Sequence, residues 1–307
     1  MTKLALKIDV DTYRGTKEGV PRLVELLKKH GAGATFLFSL GPDHTGRAIT
    51  RVFRPGFMKK VSRTSVREHY GLKTLMYGTL LPGPDIGREC AGIMRQVRDE
   101  GFEVGIHCWD HVKWQDHVAQ ANAEWTEKQM RLSLDRFEEI FGEPARAYGS
   151  AGWQTNVHAH RLTQRLGLHY SSDTRGHCPF VPVIRAEIAA CAQLPTTLPT
   201  LDELLGRTVG DQSLDTTSVA RHILGLTAEP PATGHVYTLH AELEGGKLSG
   251  VFEDLLAGWK AQGYELVSLL DLRQTLDMER LPRHELIMGE VPGRSGLLAL
   301  QGGEFLA

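Results

Sequence analysis

Apolar residues along this chain fall in short blocks separated by longer stretches of helical period. Leu4 to Val10 (LALKIDV) alternates and then turns apolar, as a strand does on entering a core. Lys17 to His30 reads as a helix, with Pro21 near its first turn, where proline is tolerated, and Gly31 as its stop. Ala34 to Leu40 reads as a second strand, Ile86 to Glu100 as a helix closed by Gly101, and Phe102 to His107 as a short strand. Gln120 to Phe141 is a long amphipathic helix carrying Trp125, Met130, Leu134, Phe137 and Phe141 near helical spacing. Further strands are expected at Arg146 to Gly149, Gly167 to Ser172, His235 to His240 and Glu265 to Leu269, with helices at Thr216 to Leu226 and Phe252 to Gln262.

Strands alternating with helices predict an α/β fold, in which sites collect at the carboxyl ends of the strands. Asp9, Asp11, His107, Gly149, Asp173 and His240 all fall at such ends, so one barrel mouth can gather residues more than two hundred positions apart. One catalytic unit is expected over residues 1–280. The tail 281–307, with Gly and Pro at intervals, is expected to be irregular.

Composition narrows the class. The 307 residues are 41% hydrophobic and 23% charged, ordinary for a soluble globular protein, and the net charge of −2 argues against a general nucleic-acid binder. No apolar run approaches the length of a membrane-spanning helix, and MTKLALKIDVD has no apolar leader core. The scattered Cys90, Cys108, Cys178 and Cys191 form no Cys-x-x-Cys pair, which suits reduced thiols in a cytoplasmic protein. Charge is not evenly spread. Residues 44–84 carry Arg47, Arg51, Arg54, Lys59, Lys60, Arg63, Arg67 and Lys73 against Glu68 alone, interleaved with apolar and aromatic residues. Such an insertion suits an element facing anionic lipid headgroups; the plainer alternative is a basic helical pair packed on the barrel with its charges in water.

Three motifs carry chemistry. Asp9 and Asp11 close a strand, where alternate side chains share a face; two carboxylates there repel unless a cation or proton lies between them. Alone they could equally be turn or cap residues. His107 and His111 stand at i and i+4, a spacing that puts two imidazoles on one helical face and within reach of one ion. His240 ends a late strand and suits a general acid, although a single histidine is more often a satisfied core residue.

Taken together, Asp-x-Asp after the first strand, His-x-x-x-His after a middle strand and Leu-His after a late one resemble the NodB-homology family of polysaccharide deacetylases. The resemblance implies a distorted (β/α)7 barrel with a basic amphipathic insertion at 44–84. It implies one divalent metal ion (Zn²⁺ first, with Mn²⁺, Co²⁺ or Ni²⁺ as alternatives) held by Asp11, His107 and His111, with Asp9 as general base and His240 as general acid. In the third motif, RAYGSAGW, glycine or serine stands where the family carries an arginine, and whether Arg146 or Arg175 replaces it is left open. Tyr148 to Gly152 could present a backbone N–H to an oxyanion, and Asp173 resembles a motif residue that orients a partner side chain.

Within the family, KIDVDTYRGT, FRPGFMKK, GIHCWDHVKWQD, RAYGSAGWQ and YTLHAELEG resemble a branch that deformylates undecaprenyl phosphate-linked 4-deoxy-4-formamido-L-arabinose, a step toward lipid A modification and polymyxin resistance. That resemblance implies a lipid-linked sugar substrate and a peripheral position on the cytoplasmic face of the inner membrane. Arg51, Arg54, Lys59, Lys60 and Arg63 would meet phosphate and anionic headgroups, with no nucleic-acid partner. The alternatives are a deacetylase for another amino sugar, or a catalytically silent barrel that binds lipid-linked sugars.

Overall fold

The structure is a computed structural model, which describes residues 1–48 and 73–306. Strands run β1 (Lys3–Val10), β2 (Thr35–Ser39), β3 (Glu103–Cys108), β4 (Ala147–Tyr148), β5 (Tyr170–Ser171), β6 (Val181–Ile184), β7 (Glu187–Ile188), β8 (Thr208–Val209), β9 (Gln212–Ser213), β10 (His235–His240), β11 (Glu265–Val267), β12 (Arg283–Gly289) and β13 (Leu298–Glu304). The main sheet is parallel, in the order β10-β1-β2-β3-β4-β5. β10 pairs with β1 over Leu4 to Asp9, while β2 pairs with its Lys7 to Val10 and β11 with its Lys3 to Ala5.

An extended segment closes the gap between the two ends of this sheet. The Leu194 N–H donates to the carbonyl of Ser171, the last residue of β5, and the Thr197 N–H donates to the Val236 carbonyl of β10. The result is the distorted α/β barrel that the motifs led one to expect. β1 shows why its mouth is polar. Leu4, Leu6, Ile8 and Val10 pack outward in the main core with Phe36, Phe38, Phe252 and Trp259. Ala5 faces the other way, into a smaller cluster with Ala147, Tyr170, Leu194 and Val236. Period-2 alternation then puts Lys7, Asp9 and Asp11 on the inner side, above that plug.

Helices Val20–His30, Ala91–Asp99, Ala123–Phe141 and Ser249–Ala261 cover the outside. Their termini follow local chemistry: Gly31 and Gly142 take left-handed conformations at the ends, and the Asn122 side chain accepts the Trp125 N–H at a start. Helices His111–His117 and Val157–Arg165 are short, which left too little pattern for a sequence reading to separate them from loop.

The tail departs from expectation. Residues 281–307 are not irregular: β12 and β13 form an antiparallel pair, and β12 joins β6 in parallel, with His284 registered against Pro182. The apolar residues that fix these strands are few and scattered, which hid them from a periodicity reading. Of the basic insertion, Arg51, Arg54, Lys59, Lys60, Arg63 and Arg67 lie outside the described residues. Arg47 is described, and its guanidinium donates to the Gly78 carbonyl.

Candidate active site

Asp9 is registered directly opposite His240 on the neighbouring strand, so two residues far apart in sequence become cross-strand partners at the barrel mouth. Asp11 lies one step beyond β1. His107 sits in β3, and His111 opens the helix that follows, after Asp110 caps it by accepting the Lys113 N–H. The His-x-x-x-His pair therefore does not share a helical face, as the spacing suggests. A strand-to-helix turn stacks the two rings instead, 5.4 Å apart and 24° from parallel.

His107 Nε2 lies 3.2 Å from Asp11 Oδ1, and His111 Nε2 lies 3.3 Å from Asp11 Oδ2. Charge-assisted hydrogen bonds of this type are shorter, at about 2.7–2.9 Å. Donor atoms each about 2.1 Å from one tetrahedrally coordinated ion stand about 3.4 Å apart, close to what is found. The buried Asp11 Oδ1 has no hydrogen-bond partner among the described residues. One carboxylate and two imidazole nitrogens, mutually within 4.8 Å, make a donor set that fits a divalent cation.

Without a cation the charges lean on each other. Burial works to raise the Asp11 pKa, but His111 and His107 outweigh it and hold the carboxyl well below the usual range. Burial works to lower the His107 pKa, but Asp9 and Asp11 outweigh it and leave the imidazole above its ordinary value. The loop that carries Asp11 is fixed by Glu242, whose Oε1 accepts the Asp11 N–H at 3.1 Å, the Thr12 N–H at 2.8 Å and the Thr12 hydroxyl at 2.8 Å. Burial, and then the Asp11 charge, push the Glu242 pKa well above that of an ordinary carboxyl.

Lys7 is a site residue that the sequence reading missed. It is fully buried, with its Nζ 3.5 Å from Asp9 Oδ2 and donating to the Ser172 carbonyl at 2.9 Å. Burial pulls its pKa below the usual lysine value, against the pull of Asp9 and Asp173. Its position two residues before Asp9, in an otherwise apolar strand, was the available signal. Gly149 makes room for it: a Cβ there would come within 2.5 Å of Leu37 Cδ1 and 3.3 Å of Lys7 Cε.

The other expected residues are placed as follows. The Gly149 N–H is engaged by the Ile106 carbonyl and the Ser150 N–H by Asp173 Oδ1, so neither is a spare oxyanion donor. The Tyr148 hydroxyl is buried with no hydrogen-bond partner among the described residues. Asp173 also accepts from the Gln193 amide, and so pins the loop that follows β4. Arg146 is exposed and reaches toward Glu143, at 3.9 Å. Arg175 packs on the face of Trp153, 5.0 Å from the ring centre, and pairs with Glu203. Neither arginine pairs with Asp9 in the described structure; the cation beside Asp9 is Lys7.

Trp153 gathers the second half of the site. It holds a left-handed backbone (φ 54°), donates its indole N–H to the Thr196 hydroxyl, and packs edge-on to His240 at 6.4 Å. Arg294 covers it at 4.6 Å while binding Asp202 and Glu203. His240 Nδ1 lies 3.9 Å from Asp202 Oδ1. The tail residue Arg294 is thus part of the scaffold behind His240, and no motif in the sequence pointed to it.

Comparison with known proteins places the chain in a family. The family model described as "Polysaccharide deacetylase" matches residues 3–171. The chain belongs to the polysaccharide deacetylase family, and it is a hydrolase of amide C–N bonds. A Shewanella sediminis protein named "Probable 4-deoxy-4-formamido-L-arabinose-phosphoundecaprenol deformylase ArnD" is 37% identical over 301 residues, covering 98% of this chain and 95% of the relative. A Wigglesworthia glossinidia brevipalpis protein of the same name is 32% identical over 290 residues, covering 94% and 98%. A solved structure from Mycobacterium smegmatis, assigned as a polysaccharide deacetylase, shares the fold with a TM-score of 0.63 at 15% identity, covering 94% of this chain and 96% of that one.

Proposed function

We propose that this enzyme removes the formyl group from undecaprenyl phosphate-linked 4-deoxy-4-formamido-L-arabinose. The products are formate and the 4-amino sugar, whose positive charge serves lipid A modification and resistance to polymyxin and other cationic peptides. The observation that carries the reading is the carboxylate of Asp11 set between two imidazole nitrogens, at 3.2 and 3.3 Å, beside the buried Asp9. The names of relatives at 37% and 32% identity support the substrate.

A divalent cation on Asp11, His107 and His111, with zinc favoured and manganese, cobalt or nickel compatible, would supply an activated water at neutral pH and polarise the formyl oxygen. Asp9 takes the proton of the attacking water. Lys7 holds the Asp9 carboxylate in place from the strand that bears it. His240 protonates the departing 4-amino nitrogen, with Asp202 Oδ1 3.9 Å behind its Nδ1 and the Trp153 edge beside its ring. Amide cleavage needs both transfers, because the amine leaves poorly unless protonated.

The substrate tail keeps the reaction at a bilayer, since each buried CH₂ is worth about 0.8 kcal/mol. No described helix is long and apolar enough to cross a membrane. The basic run with Arg51, Arg54, Lys59, Lys60 and Arg63 supports peripheral contact with the anionic cytoplasmic face of the inner membrane.

The test is mass spectrometry of the lipid-linked formamido sugar after incubation with the enzyme, with and without a chelator, alongside an N-acetyl analogue. Loss of the formyl group, blocked by the chelator and faster than loss of acetyl, is the expected result. An untouched formamide in the presence of added zinc, manganese, cobalt or nickel would overturn the reading.

A further inference from the structure

A second cluster of metal-binding side chains lies away from the barrel mouth. His177, Cys178 and His284 bring two imidazole nitrogens and a sulfur within 4.8 Å of one another. His177 and Cys178 belong to the loop between β5 and β6, and His284 belongs to β12. None of them takes part in the chemistry described above.

The surroundings are arranged as for ligands. The His284 ring is buried, and its Nδ1 is 3.0 Å from the Gly302 carbonyl, which fixes the tautomer and leaves Nε2 as the ligand nitrogen. A carbonyl on the far nitrogen is the usual outer partner of a metal-bound histidine. Phe180 packs edge-on to the ring at 5.7 Å and holds its orientation. The Gln301 side chain ties the other two ligands to β13. Its Oε1 accepts the His177 N–H at 2.8 Å and the Cys178 N–H at 3.2 Å, while its Nε2 lies 3.2 Å from Cys178 Sγ. That amide contact holds the sulfur in place toward the two imidazoles. Cys178 is a free thiol, and the chain's other cysteines are buried. The His177 ring is exposed and stands 5.6 Å from His284, nearly perpendicular to it, so it is the ligand that can rotate to complete the set.

We propose that His177, Cys178 and His284 form a second metal site for a borderline-soft divalent cation of the zinc class. Thiolate with two imidazoles is a donor set such ions favour over magnesium or calcium. The site is structural. It staples β12, and through Gln301 and Gly302 also β13, to the loop that begins at Asp173 and Arg175. The hairpin that carries Arg294 to Trp153 would then be held by metal as well as by sheet pairing.

Cobalt substitution tests this on the whole chain, because a sulfur ligand gives cobalt a thiolate charge-transfer absorption that the Asp11, His107 and His111 set cannot produce. The metal-stripped protein, titrated with Co²⁺, is expected to take up two ions per chain and to develop that band. Cys178→Ser and His284→Gln should each lose the band and one equivalent of cobalt, with far-ultraviolet circular dichroism unchanged. His111→Ala should keep the band. Uptake of a single ion with no band in the wild-type chain would overturn the proposal, as would a band that survives Cys178→Ser or disappears in His111→Ala.

Discussion

The Lys7 ammonium stands 3.5 Å from the Asp9 carboxylate, with both side chains buried and only Ile8 between them in sequence. The pair sits on the inner face of β1, where a charge without a partner would be costly to desolvate. In this chain the cation beside the proposed base therefore comes from the same strand as that base, two residues earlier. Lys7→Met should lower kcat by roughly a hundredfold, the lower end of what general-base catalysis contributes. Lys7→Arg should recover much of it. An unchanged kcat in a folded Lys7→Met protein would remove Lys7 from the mechanism.

The metal proposed at the barrel mouth makes a separate prediction. Asp11→Asn and His111→Ala should each cut affinity for zinc at this site by orders of magnitude and bring deformylation to background. Asp9→Asn should bind the ion but turn over poorly, since it loses a base and keeps the ligands. Isothermal titration with Zn²⁺ on chelator-treated protein, paired with activity, separates the two outcomes. Normal zinc binding by both ligand variants would contradict the assignment.

Glu244 predicts a pH dependence of stability. It accepts the His240 N–H at 3.0 Å and is fully buried, and that burial raises its pKa from 4.5 to about 8. Between those values the folded chain keeps a proton that the unfolded chain has released. Raising the pH through this window therefore costs stability, by about 1.4 kcal/mol for each pH unit crossed, and the loss levels off above it. Glu244→Gln removes the titration. Its stability relative to wild type should improve by a few kcal/mol between pH 5 and pH 8, measured by urea unfolding at each pH. Parallel curves for the two proteins would show that Glu244 does not carry the proton.

The basic stretch predicts membrane contact. Replacing Arg51, Arg54, Lys59 and Lys60 together with Gln should release the protein from vesicles rich in anionic lipid, as judged by co-sedimentation. Hydrolysis of a short, soluble formamido sugar should be spared. Each basic residue near such a surface is worth about 1 kcal/mol, so four together should shift partitioning by orders of magnitude. Undiminished co-sedimentation of the fourfold variant would leave the membrane reading without support.

Much of the barrel was written in local pattern. Strands such as His235–His240 and helices such as Ala123–Phe141 announce themselves because burial of one face enforces a period, and Gly31 and Gly142 end helices by backbone freedom alone. The residues Asp9, Asp11, His107, His111 and His240 could be picked out because their three motifs, each weak alone, together resemble those of the family. What the sequence could not decide was which side chains meet. Only the closed sheet sets Asp9 beside His240, and only the strand-to-helix turn stacks His107 on His111. Lys7 stood out only once both sides of β1 proved to be covered, and Arg294 lay in a tail with too few apolar residues to betray its strands. Periodicity records which face of an element is buried; the pairing of distant groups depends on how elements pack, and that is a property of the tertiary structure.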